Sequence, residues 1–322
     1  MPAWSWALTA WALGAAVPAC ADPAVAFPYT RTVYVEEMGS PAAWWANPAL
    51  AAWVDAPTLL TANASPVGKL YTVSSVRFLA PLAFGLRLGV GVSAFGSEQT
   101  DTFQATEAGA DYQGKFAFSR PDFEIGAAYP FTYAGSVGVL LKAGLERVSV
   151  GAGQTENYGV FTVGLGWVSP GIARCAWLSL AAQWTGHFLY ERYWDSEGKI
   201  GLRLAVPGEL VTLDITYARP LPLWLSPSAA PYGWTYQAAK AILSVRTSRL
   251  IALLAGASSD FSIVDEHNGT CVHAGLALLP STVNPFVGGY EIGVSVNERW
   301  HFLHRFWVGY RILRRPARDS GP

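Results

Sequence analysis

The chain has 322 residues, only 14% of them charged, with 22 Lys and Arg against 23 Asp and Glu and a mean hydropathy of +0.23. A soluble domain carries about a quarter charged residues, so a soluble globular protein fits this composition poorly. The balanced charge leaves no basic surface to neutralise phosphates, which excludes a nucleic-acid partner.

At the amino terminus, Ala7 to Ala19 is apolar, and Ala19-Cys20-Ala21 fits a small-residue cleavage site before Asp22. Residues 1–21 are therefore expected to be a signal peptide, although no Lys or Arg precedes Trp11. A rival reading makes Cys20 an acylated lipoprotein cysteine. Cys175 and Cys271 then remain, and since they fall near opposite ends of the topology below, two free thiols are expected.

Beyond this leader no apolar run reaches the ~18 to 20 residues of a spanning helix. The 32 glycines, 14 tryptophans and 14 tyrosines favour strands, tight turns and interfacial aromatics instead. From Ala24 to Trp53 no period-two pattern is present, and Met38 to Ala51 reads as a compact segment rich in small residues, with Trp44, Trp45 and Trp53 as its bulk. Irregular backbone of this kind is tolerated at membrane depth only inside a lumen or against protein. Residues 22–53 are assigned to such a segment.

Residues 54–313 then repeat one pattern, apolar at every second position with Gly, Ser, Thr or a charge between. Phe84, Leu86, Leu88, Val90 and Val92 are one case; Val137, Val139, Leu141, Ala143 and Leu145 are another; Tyr290, Ile292, Val294 and Val296 are a third. Period two marks strands with one apolar face. With an opening strand near Ala56 to Ala62 the count reaches roughly fourteen, an even number as single-chain barrels require. Short links at Ala80-Pro81, Phe131 to Gly135, Ser169 to Arg174, Pro207-Gly208, Thr247-Ser248 and Pro280 to Pro285 alternate with longer ones at Gly96 to Arg120, Gly151 to Asn157, Phe188 to Gly198, Ala218 to Gly233 and Asp260 to Thr270. Short periplasmic turns alternating with longer outer loops predict an all-β fold, a transmembrane antiparallel barrel in a bacterial outer membrane. Residues 314–322 are left as a tail.

The apolar series is expected to meet membrane lipids, with aromatics such as Phe84, Tyr129, Trp167 and Tyr290 at its ends as interfacial girdles. The opposite series carries Arg87, Glu124, Lys142, Glu146, Lys199, Arg203, Asp214, Lys240, Glu291, Arg305 and Arg311, which would face the lumen and pair there. On this pattern Arg in place of Leu141 or Val163 should destabilise the barrel, whereas polar residues at Gly138 or Thr162 should matter less.

In Ala42-Ala43 and Asn47-Pro48-Ala49-Leu50-Ala51, just ahead of the first strand, the chain resembles the FadL family of outer-membrane long-chain fatty acid channels. The resemblance implies an amino-terminal plug, or hatch, inside a fourteen-stranded barrel. Asn47, Pro48 and Ala49 would fix that plug, and Trp44, Trp45, Leu50 and Trp53 would line a site for a hydrophobic small molecule taken up passively. The outer-membrane assembly machinery would be a further partner. The chain departs from the family in its brief outer loops and in its ending, Arg318-Asp319-Ser320-Gly321-Pro322, in place of a terminal aromatic strand residue. The alternative is an interaction or secretion-associated scaffold, presenting the apolar stretch around Leu221 and Trp224. His187, His267, His273, His301 and His304 show neither triad nor metal-ligand spacing, so no catalysis, metal or cofactor is expected.

Overall fold

The computed structural model describes residues 47–54, 56–66, 71–97, 100–106, 109–150, 154–172, 175–187, 193–206, 210–220, 236–248, 250–262, 269–279, 285–296 and 302–312. The signal-peptide segment with Cys20, the residues Trp44 and Trp45, the loop 221–235 and the tail 314–322 lie outside them.

Among the described residues, fifteen strands follow one short helix. They are β1 (Thr58–Pro66), β2 (Tyr71–Pro81), β3 (Arg87–Ser97), β4 (Thr100–Thr106), β5 (Gly109–Phe131), β6 (Gly135–Val150), β7 (Gln154–Val168) and β8 (Ala176–His187). Then come β9 (Tyr193–Ala205), β10 (Val211–Pro220), β11 (Tyr236–Arg246), β12 (Ile251–Ser262), β13 (Gly269–Leu278), β14 (Phe286–Ser295) and β15 (Phe302–Arg311). Chain neighbours pair antiparallel except β3 and β4, β1 pairs with β15, and β3 pairs with β5, so every strand but β4 belongs to one closed ring of fourteen. Closure leaves no strand edge in lipid, where an unpaired backbone group would cost several kcal/mol (~). No described helix is long and apolar enough to cross a membrane.

The links expected to be short share one end of the barrel. The links β2–β3, β5–β6, β7–β8, β9–β10, β11–β12 and β13–β14 gather at the end where β1 begins and β15 stops. Strands spaced ~4.8 Å apart and tilted by ~40° give fourteen of them a backbone radius on the order of 14 Å, wide enough to hold a segment of chain inside.

Side-chain alternation follows the sequence. Leu141 is 41% exposed and the adjoining Lys142 only 5%. Val139, Ile125, Val90, Ile200, Leu253, Val272 and Val308 coat the outside in the same way. Aromatic girdles flank this belt. Near the turn end Tyr129 meets Phe131, and Phe286 meets Tyr310, edge to face, while the indole of Trp167 donates to the Ala134 carbonyl at 2.9 Å. Cys175 lies at the turn end, Cys271 is buried on β13, and both are free thiols.

Three expectations need correction. The strand read from Phe84 begins at Arg87, because Ala83–Gly85 form a 3-10 turn in which Phe84 (φ 60) and Gly85 (φ 83) are left-handed. Apolar alternation runs through this turn unbroken, so the pattern could not mark it. The stretch Gly96 to Arg120 is largely strand: β3 continues to Ser97, and β4 folds back on the first part of β5 as a hairpin beyond the ring. Likewise β6 and β7 extend to Val150 and from Gln154, so Gly151 to Asn157 is mostly ladder.

Candidate functional site: the plug seat and the lumen network

Ahead of β1, Pro48–Trp53 form a six-residue 3-10 helix. Proline suits its first position, where the missing N–H has no helical partner to lose. Asn47 stands extended before it and accepts the Ala49 N–H on Oδ1 at 3.0 Å, a local cap. The same side chain then turns to the wall: Nδ2 donates to the carbonyls of Trp167 on β7 (3.3 Å) and Leu180 on β8 (3.1 Å). One amide thus satisfies both the helix and the barrel. On β6, the Ser136 hydroxyl donates to the Ala49 carbonyl at 3.0 Å.

The wall beneath is made of small residues. Ala128, Gly138, Gly166 and Ala181 stand in register on β5 to β8. A Cβ at Gly138 would overlap the Pro48 backbone, and one at Gly166 would overlap the Asn47 side chain. These glycines let the plug backbone touch the wall. A side chain at Gly138 would therefore meet the plug rather than open lumen, a contact that its comparison with Leu141 leaves out. Ala51, Ala52 and Val54 pack with Leu79, Ala128 and Leu140, which explains why the lumen-facing series turns apolar here.

Asn47, Pro48, Ala49 and Leu50 are all buried in this seat. Leu50 is fully enclosed, whereas Trp53 is 41% exposed. Of the residues expected to line a hydrophobic site, Leu50 is thus committed to packing and Trp53 remains exposed; Trp44 and Trp45 lie outside the described residues.

Above the plug seat, two networks of buried charge face the lumen from nearly opposite walls. In the first, Arg77 on β2 reaches Glu124 on β5 (Nε to Oε2 2.8 Å), and Ser93 on β3 donates to Glu124 Oε1 at 2.8 Å. The Arg77 stem crosses Gly91, where a Cβ would come within 2.8 Å of Arg77 Cγ. Lys142 is buried on the adjoining β6, and Arg120 pairs with Asp122 at 2.9 Å. In the second, Lys240 on β11 meets Glu291 on β14 at 3.2 Å, three strand spacings away around the wall. His273 Nδ1 lies 3.4 Å from Glu291, and Arg305 lies 3.9 Å from it. Arg203 and Asp214 are buried and paired in register on β9 and β10, while Glu146 is only half-buried. Arg87 sits apart, at the plug's end.

Ser258 Oγ stands 2.8 Å from His273 Nε2, so Ser258, His273 and Glu291 follow the order of a nucleophilic triad. Spacing along the chain did not reveal it; projecting β12, β13 and β14 onto one lumen face would have. Ser258 is nevertheless paired on both sides, with Lys240 and with Cys271. The backbone N–H groups around it serve the ladder and are not aimed at a developing oxyanion, which such chemistry needs. The arrangement ties β11 to β15 together. Among the described residues no group of three or more His, Cys, Asp or Glu could hold a metal ion.

A hollow of about 620 Å³ on the outside of the wall is lined by Val76, Phe78, Val90, Val92, Phe123 and Ile125. These are outward-facing side chains, so it is a lipid-facing depression and not part of the plug seat.

No family model matches the chain, and no curated protein does. Solved structures do. The chain is similar to the Ralstonia pickettii toluene transporter TbuX (12% identity, 85% of this chain and 94% of that one, TM-score 0.62). It is similar to the Pseudomonas putida toluene transporter TodX (12%, 84% and 93%, TM-score 0.62) and to a Pseudomonas aeruginosa FadL homologue (10%, 89% and 98%, TM-score 0.59). The fold implied by Asn47-Pro48-Ala49 is thus the fold found, a barrel of the outer-membrane type.

Proposed function

We propose that this chain is an outer-membrane channel for passive uptake of hydrophobic small molecules, long-chain fatty acids among them, with residues 22–53 as its plug. The observation that carries the reading is the plug seat. A buried apolar helix is fixed to one side of a lumen by Asn47 and Ser136, over a patch of small residues cut to fit it. A structural barrel has no need of such a piece, since side chains alone can fill an interior. Trp53 presents an exposed indole at the end of that helix, as a site for a hydrophobic ligand requires. Membrane lipids on the apolar belt and the outer-membrane assembly machinery complete its partners.

TbuX and TodX carry toluene by description, so a small aromatic and a long acyl chain are the two ligands to compare. Native mass spectrometry of the delipidated protein, titrated with a long-chain fatty acid or with toluene, should show one saturable adduct. Saturation by the fatty acid supports the finer reading, and saturation by toluene alone moves the ligand class to monoaromatics. No saturable adduct with either would sink the proposal.

A further inference from the structure

Arg87 differs from the other lumen-facing cations. Arg77, Lys240 and Arg305 all approach carboxylates, whereas among the described residues Arg87 makes no ion pair and spends its guanidinium on two backbone carbonyls. Nε donates to the Val54 carbonyl at 2.6 Å, and Nη1 donates to the Gly85 carbonyl at 2.6 Å. Val54 is the residue at which the plug helix ends, and Gly85 belongs to the left-handed β2–β3 turn at the barrel rim.

We propose that Arg87 is the latch of the plug, a positioning residue braced on the barrel rim by Gly85 that fastens the plug's carboxy-terminal end through the Val54 carbonyl, so that displacement of the plug begins with loss of the bond to Val54. The inference rests on the plug-as-gate reading above. Three features of the geometry support it.

The first is footing. As the opening residue of β3, Arg87 is held in the ladder by Pro81 on one side and Ala128 on the other. Its bond to Gly85 braces a turn in which the non-glycine Phe84 is left-handed, a conformation that persists only where surrounding contacts impose it.

The second is chemical fit. The Val54 carbonyl lies just past the helix, where no intrahelical donor can reach it. A guanidinium offers several donors in a fixed planar fork, so a single side chain serves both carbonyls through charge-assisted bonds. Lysine, a point donor on a flexible stem, can satisfy one well but not hold both in fixed relation.

The third is position. Asn47 is bonded to β7 and β8, and Val54 is bonded through Arg87 to β3. Seven steps of 3-10 backbone cover roughly 14 Å at about 2 Å each, enough for a bar along the wall between those anchors. Contacts of the helix with β5, β6 and β7 lie between them. Without Arg87 the bar keeps its Asn47 end, while the other end is held only by the packing of Val54 on Leu79 and Leu140 and by the short link to Thr58 on β1.

The test uses the full-length protein with Cys20, Cys175 and Cys271 replaced by alanine and Val54→Cys as reporter, a smaller side chain at a buried site whose carbonyl is unchanged. Maleimide labelling of the folded protein and small-ion leak across planar bilayers are measured with Arg87 intact, with Arg87→Gln and with Arg87→Lys. Labelling of Arg87→Gln should be roughly tenfold faster, as expected for loss of the one charge-assisted bond to the plug, with Arg87→Lys between and the heat-modifiable band of the folded barrel retained in all three. A merely structural role would not separate plug exposure from barrel folding. Equal labelling in all three proteins overturns the proposal. So does loss of the heat-modifiable band in Arg87→Gln, which would assign the residue to assembly of the barrel. Hydrophobic-ligand binding is not part of this readout, so failure of the channel reading leaves its own separate mark.

Discussion

Asn47→Asp isolates the amide that joins plug to wall. The substitution keeps the shape of the side chain and the oxygen that caps Ala49, but replaces the donor with a second oxygen. That oxygen would face the carbonyls of Trp167 and Leu180, now 3.3 and 3.1 Å from Nδ2. Two hydrogen bonds at ~0.5 to 1.5 kcal/mol each amount to about 1 to 3 kcal/mol, and a buried charge facing two carbonyl dipoles adds to that. Since each ~1.4 kcal/mol is tenfold in population, the displaced plug should become about ten to a hundred times more frequent. Open-channel events in planar bilayers count it directly, and a heat-shift gel confirms that the strands still fold. Asn47→Ala, which loses the bonds but adds no repulsion, should fall between Asn47→Asp and the parent protein. If Asn47→Asp gates like the parent, or more quietly than Asn47→Ala, the amide does not hold the plug.

The remaining predictions address the wall and the lumen. Leu141→Arg, on the lipid face, should destabilise the barrel by about 2 to 4 kcal/mol near the midplane in urea unfolding from lipid vesicles; a cost under ~0.5 kcal/mol would place Leu141 away from lipid. Gly138→Ala should press on Pro48 and cost about 1 to 3 kcal/mol of plug docking, read as more open-channel events with an intact fold, and silence there would show that the seat is loose. Glu291→Gln strips the carboxylate from Lys240, His273 and Arg305 and should cost about 3 to 5 kcal/mol, whereas Glu146→Gln, half-buried, should cost about 1 kcal/mol or less; equal values from urea unfolding would contradict the network.

The barrel was legible because its physics is periodic. Alternation of apolar and small or polar residues, with short and long connections in turn, is enough to deduce a lipid-coated ring, and residues such as Leu141, Ile125 and Lys142 lie where period two put them. What remained hidden depends on register across strands. Arg77 and Glu124 are 47 residues apart and meet only because the intervening β3 offers Gly91 to cross. Ser258, His273 and Glu291 converge by strand order, which pattern alone does not align to the residue. Gly138 and Gly166 read as ordinary barrel-facing glycines until the plug is laid against them. The partner of Arg87 on the plug, the Val54 carbonyl, follows from three-dimensional closure. The Asn47-Pro48-Ala49 signal was local and therefore readable: an extended capping residue, then proline at a helix start.

The central claim is that hydrophobic molecules cross the outer membrane through this chain. The most direct measurement is the initial rate at which cells lacking their own hydrophobic-uptake channels take up a labelled long-chain fatty acid and labelled toluene, with and without the protein and with a labelled hydrophilic sugar as control. The channel predicts faster, non-saturating-to-saturating uptake of at least one hydrophobic probe, no change in sugar uptake, and a changed hydrophobic rate in Asn47→Asp. Unchanged uptake of both hydrophobic probes by cells carrying heat-modifiable, folded protein would contradict it.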